Sequence, residues 1–137
     1  SCAMPIVLSG TTTVTGSTAG TTNTVSTPSS TSVCTGYSNS ANDLVYSVLV
    51  PAGNTIDATV TPTGTSWDIA VYLVAPGQCG LVSSCLSAAG TGDTGSSGSE
   101  TVSYTNAGGS SQTVLIVVDG YTATKTGPFS LDVVVGP

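Results

Sequence analysis

The sequence predicts an all-β fold: a two-sheet antiparallel β-sandwich, jelly-roll-like, with about eight to ten strands and essentially no helix. Three observations carry this. Apolar residues recur at every second position in run after run, the period that puts side chains on one face of a strand. The runs are separated by clusters of Pro, Gly, Asn and Ser at intervals of about 8–14 residues. No stretch has the 3.6-residue apolar period of a helix.

Taken in order, the elements are these. Pro5-Ile6-Val7-Leu8, followed by the Thr-rich run to Thr15, reads as one edge-type strand over 5–15 with a break near Ser9-Gly10. Thr is β-branched and favours strands. A second strand is expected over 20–26, within a Ser/Thr-rich segment (17–33) that reads as a long surface loop or an O-glycosylated stretch. Leu44–Val50 places Leu44, Tyr46, Val48 and Val50 on one face. Ile56–Val60 alternates Ile56, Ala58 and Val60 against Asp57 and Thr59. Trp67–Val74 sets Trp67, Ile69, Val71 and Leu73 against Asp68, Ala70, Tyr72 and Val74. Turns at Pro51-Ala52-Gly53-Asn54 and Pro62-Thr63-Gly64-Thr65 make these three runs a meander.

A short strand is expected over 86–89, then a Gly/Ser loop over 90–99. Glu100–Thr105 points Val102 and Tyr104 inward. Gln112–Asp119 is apolar on both faces, as for a strand buried on both sides. Phe129, Leu131, Val133 and Val135 mark the last strand.

The length of 137 residues fits a single domain over 1–137. Charge is sparse: 6% of residues, with seven acidic groups against one Lys and a net charge of −6. Globular domains average about 25%. Nucleic acid is excluded as a partner, because neutralising phosphates needs Lys and Arg and Lys125 stands alone. An anionic membrane surface is disfavoured for the same reason. No apolar run approaches the roughly 20 residues of a spanning helix, so membrane insertion is not expected. Hydrophobic residues make up 39%, enough to order the chain. The first residue is Ser and no basic, apolar leader follows. The expectation is a secreted chain, extracellular or at the cell surface, with its signal peptide removed.

Cys2, Cys34, Cys79 and Cys85 read as disulfide-bonded, which implies an oxidising compartment. Three pairings are open. A Cys79–Cys85 bridge would close a short Gly/Ser-rich loop, and Cys2–Cys34 would then staple the N-terminal segment to the meander. Zinc is not expected, since no His is present and no C-x₂-C pair occurs.

Candidate chemistry is thin. Without His, Ser–His and Cys–His dyads are impossible. Asp57, Asp68 and Asp132 read as isolated, solvated carboxylates on strand faces, unsuited to paired-acid catalysis. No catalytic, cofactor-binding or metal-ligating residues are assigned. Asp93, Glu100 and Asp119 flank loops that could offer oxygen ligands to calcium. They lack the spaced acidic loop pattern and read better as surface or turn-capping groups. Of the aromatics, Trp67, Tyr46 and Tyr104 read as core, Tyr72 is out of phase with Trp67, and Tyr121 sits in a turn. Lys125 lies in a Gly-flanked loop, unsuited to an intramolecular crosslink.

Asp-x-Val-Tyr-Ser-Val-x-Val-Pro-Ala-Gly from Asp43, then Thr-Pro-Thr-Gly-x-x-Trp-Asp-x-Ala-Val-Tyr-Leu to Leu73, resemble the bacterial pre-peptidase C-terminal (PPC) domain. The resemblance continues through Ser-Cys-Leu-Ser-Ala-Ala-Gly (84–90), Glu-Thr-Val-Ser-Tyr-Thr (100–105) and Val-Val-Asp-Gly-Tyr (117–121). It is similar to the cysteine-containing versions in secreted bacterial proteins. The resemblance implies a sandwich, and an accessory role beside a larger secreted protein such as a hydrolase or lipoprotein, with calcium, glycan or protein as ligands.

The lack of charge implies something further. Sheet edges are usually blunted by charge, and a neutral β-branched edge invites strand addition. A contact that does not close on itself makes a filament. The leading expectation is therefore a non-enzymatic structural subunit of a surface filament, assembled from copies of itself, with the 1–33 segment as strand donor.

Overall fold

Alternation along the strands builds the core. The computed structural model describes residues 1–95 and 97–137, which hold ten strands and no helix. The first sheet contains β1 (Ile6–Leu8), β4 (Leu44–Val50), β9 (Gln112–Gly120) and β6 (Ile69–Val74), in that order across the sheet. The second contains β2 (Thr12–Ser17), β10 (Pro128–Gly136), β5 (Thr55–Pro62) and β8 (Glu100–Thr105). A parallel ribbon of β3 (Val25–Ser26) and β7 (Gly80–Leu81) lies apart from both. Pairing is antiparallel within both sheets except β1 with β4, which is parallel.

The inward faces read from the sequence meet between the sheets. Tyr46, Val48, Val50, Ile56, Ala58, Val60, Trp67, Ile69, Val71, Leu73, Val102, Val114, Ile116, Val118, Phe129, Leu131 and Val133 form one buried cluster, with Leu44, Tyr104 and Val135 packed against it. Burying one such Val, Leu, Ile or Phe contributes about 1.5–3 kcal/mol. Tyr46 meets Phe129 edge-on at 6.5 Å. Gly16 on β2 makes room for both: a Cβ there would lie 2.8 Å from the Phe129 ring and from the Tyr46 hydroxyl.

Several boundaries differ from expectation. The 5–15 strand breaks at Gly10 as expected, where a φ of +102° suits glycine, but its halves serve different sheets, β1 the first and β2 the second. The expected meander does not form, since β4 and β6 lie in the first sheet, each paired with β9, while β5 lies in the second between β10 and β8. The expected 20–26 strand shrinks to the two residues of β3. Residues 86–89 do not form a strand; Leu86 N donates to Leu73 O at 2.7 Å and the chain then turns away, Thr91 N donating to Ala88 O. β6 starts at Ile69 because Trp67 turns aside, its indole N–H donating to Pro128 O at 2.9 Å.

A second core lies on the other side of the first sheet. Val45, Tyr72, Val74, Leu115 and Val117 point outward from that sheet, yet all are buried beneath Cys2, Val25, Cys34 and Val82. Burial on both sides, expected for β9 alone, extends to β4 and β6. The cover consists of the Ser/Thr-rich N-terminal segment and the loop after β6.

Candidate binding site

The cover has little apolar surface of its own, so side-chain hydrogen bonds and disulfides fix it. Buried polar groups must be paired, and here the pairs run between segments. Asp43 accepts from Thr24 N at 2.6 Å, Val25 N at 2.8 Å and the Thr24 hydroxyl at 2.6 Å. The Thr24 hydroxyl oxygen in turn accepts from Cys2 N. Asn39 is a second hub. Its side-chain oxygen accepts from the Thr27 and Thr35 hydroxyls, and its amide donates to Asp93 Oδ2 at 2.8 Å. Asp93 Oδ1 accepts from Gly95 N at 2.8 Å. Glu100 Oε1 accepts from Thr94 N and the Thr94 hydroxyl.

The disulfides join Cys2 to Cys79 and Cys34 to Cys85, with Cα separations of 5.8 and 5.1 Å. Of the three open pairings, the one with a short Cys79–Cys85 loop and a Cys2–Cys34 staple is not formed. The cause is the β3–β7 ribbon. Gly80 N donates to Thr24 O and Val82 N to Ser26 O, holding Cys79 at the end of the ribbon near Cys2 and sending Cys85 past it toward Cys34.

Where the two covering segments meet they leave a pocket of about 560 Å³. Its walls are Thr31, Thr35, Gly36 and Tyr37 from one segment and Gly90, Asp93 and Thr94 from the other. The Cys34–Cys85 bridge and a hydrogen bond from Gly90 N to Cys34 O (2.8 Å) hold the walls together. Tyr37 is 38% exposed and meets Tyr121, 39% exposed, edge-on at 5.8 Å.

The carboxylates singled out in the sequence separate into classes. Asp57 and Asp132 are exposed on the outer face of the second sheet, where Asp132 accepts from the Thr13 hydroxyl at 2.6 Å. Asp68 is not solvated as expected. It is half-buried, and its Oδ1 is closed off from solvent with no hydrogen-bond partner. Burial raises its pKa, Asp93 and Glu100 add to the rise, and Lys125 opposes it. Asp93, Glu100 and Asp119 are not on the surface: they are 2%, 3% and 0% exposed. Asp119 does not open a loop but lies inside β9, accepting from the Tyr72 hydroxyl at 2.7 Å and from Gly120 N at 2.8 Å. Burial pushes its carboxyl well above the usual range, outweighing those hydrogen bonds; burial likewise raises Tyr72. Among the described residues no three His, Cys, Asp or Glu side chains come together as a metal site. Lys125 is exposed in its loop.

Trp67 and Tyr46 are in the core and Tyr104 packs against it. Tyr72 belongs to the outer core. The Tyr37–Tyr121 pair and the roles of Asn39 and Asp43 were missed. One signal was available: Tyr37 is the sole aromatic residue in the first 43 positions, in a segment otherwise too polar to need one.

No family model matches the chain, and no curated protein does. Solved structures match it over nearly its whole length. One is the pre-peptidase C-terminal domain of collagenase from Bacillus anthracis, with a TM-score of 0.52 and 12% identity, covering 95% of this chain and 94% of that one. Another is PliG of Aeromonas hydrophila, a periplasmic inhibitor of g-type lysozyme, with a TM-score of 0.51 and 15% identity, covering 97% of this chain and 100% of that one. The fold is the PPC-like sandwich that the motifs resemble. Among the described residues no helix is long and apolar enough to cross a membrane.

Proposed function

We propose that this chain is a non-catalytic recognition module of the extracellular or periplasmic space, acting beside or within a secreted protein. The pocket carries the reading. Its walls come from two segments tied to each other and to the sheet by covalent bridges and buried hydrogen bonds, so it exists before any ligand arrives, which lowers the entropic cost of binding. The disulfides suit an oxidising compartment. The two similar folds support it too, since one accompanies a collagenase and the other inhibits a lysozyme. The test is sedimentation of the purified chain with insoluble cell-envelope and extracellular-matrix preparations. Co-sedimentation is expected; a chain that stays in the supernatant with every preparation defeats the reading.

A second reading, a filament subunit built from copies of the chain, draws on the edges of the second sheet. β2 and β8 are its outer strands, and Glu100, buried, is their one charged side chain. Edges this neutral lack the usual block to strand addition. β1 and β2 already pair within the chain, so such assembly would run edge to edge rather than by a donated strand. Electron microscopy of concentrated protein decides: filaments lost in Thr15→Lys support it, and monodisperse particles of 13.3 kDa count against it.

A further inference from the structure

We infer that the pocket between residues 31–37 and 90–94 binds an uncharged polyhydroxylated ring, a sugar unit of a neutral glycan, seated against Tyr37. This rests on the recognition reading above and gives it a ligand class. The lining chemistry is the first argument. Thr31, Tyr37 and Thr94, all exposed, bring hydroxyl groups to the pocket, that of Thr94 donating to Glu100; Thr35 is buried with its own hydroxyl on Asn39, and no large aliphatic side chain is among the lining residues. A wholly apolar ligand would strand those polar groups without water.

Charge is the second argument. Among the described residues no cation lines the pocket, while Asp93 does, with Glu100 held behind it by Thr94. Phosphate, sulfate and uronate groups would meet a negative potential with nothing to pair them. A cationic ligand would need an accessible counter-charge. Asp93 is 2% exposed, and its two oxygens already accept from Asn39 and Gly95. A neutral ligand is what remains.

The aromatic pair is the third. A tyrosine offers an apolar face and a polar tip, suited to a surface that is wet on one side. Tyr37 and Tyr121 keep more than a third of their surface in solvent although they touch each other. The C–H face of a pyranose covers such a ring while its hydroxyls reach the exposed Thr31 and Thr94. The volume, about 560 Å³, lies within the roughly 300–1,000 Å³ of small-ligand pockets.

Isothermal titration calorimetry with chitohexaose, cellohexaose and mannohexaose tests this, with spermidine and inorganic phosphate as charged probes. Binding of at least one hexaose is expected, weakened ten-fold or more in Tyr37→Ala. Thr31→Trp, at the exposed rim, should block the pocket without touching either core, and it carries the test if Tyr37→Ala does not fold. Failure of all three hexaoses to bind, binding unchanged in Thr31→Trp, or competition by spermidine or phosphate would overturn the assignment. If the chain co-sediments with envelope material equally well with and without Thr31→Trp, the recognition reading survives and the pocket assignment falls.

Discussion

Removing one disulfide should cost far more than the spacing of the cysteines suggests. Cys34 and Cys85 are 51 positions apart, and Cys2 and Cys79 are 77 apart. In the chain-entropy model, a loop of either length restricts the unfolded chain by about 4–4.5 kcal/mol, whereas a bridge between Cys79 and Cys85 would give only about 2 kcal/mol. The two loops interleave. Once Cys2–Cys79 is closed, the shorter route from Cys34 to Cys85 runs through that bridge, and the second closure is worth slightly less, still about 4 kcal/mol. Total stability for a domain of this size is about 5–15 kcal/mol. Cys34→Ala/Cys85→Ala should therefore leave a marginal fold, and loss of both bridges should unfold it at ambient temperature. The measurement is guanidinium unfolding followed by Trp67 fluorescence, compared with wild type at matched slopes. Peptide mapping of the unreduced protein accompanies it. A loss below about 2 kcal/mol, or Cys79 and Cys85 recovered as a bridged pair, would refute the reasoning.

Three more predictions concern buried groups. The folded pKa of Asp119 lies above its unfolded value, so the native state holds its proton more tightly; this group's contribution is complete below about pH 4 and is lost as pH rises toward the folded pKa. Asp119→Asn should flatten that slope in calorimetric melts between pH 4 and pH 8; an unchanged profile would show that the group does not titrate as described. Asp43→Ala strands the buried Val25 N–H and the partly buried Thr24 N–H and hydroxyl, and should cost at least the roughly 1–3 kcal/mol of the one fully buried N–H, with faster hydrogen exchange over 18–43 before any over β9. Gly92→Ala should prevent the native pairing at β6, because a Cβ would sit 1.8 Å from Val71 O; a soluble variant with unaltered near-ultraviolet dichroism would contradict this.

The core between the sheets was legible because a strand with one buried face writes that face into every second residue. Ile56, Ala58 and Val60, or Phe129, Leu131 and Val133, could hardly be placed otherwise. The outer core was not legible. Its cover folds through Asn39, Asp43 and two disulfides rather than through a period, so 17–43 offers nothing that alternates. Asp119 was misread because Asp-Gly is a strong turn signal; the apolar run before it continues the strand through Gly120. Asp68 looked solvated since it alternates with core residues, but the chain there bends before β6 begins. The pocket depends on two segments more than fifty residues apart along the chain, and only the correct disulfide pairing would have joined them on paper.

The place of β10 has a consequence for how the molecule is made. The last strand of the described chain is an interior strand of its sheet, hydrogen-bonded to β2 on one side and β5 on the other. Until those nine residues emerge, β2 has no ladder partner, and Phe129, Leu131 and Val133 are missing from the core. Synthesis therefore delivers a chain that cannot close early. The second sheet should stay open until β10 has been made, and close only when β10 slots between β2 and β5.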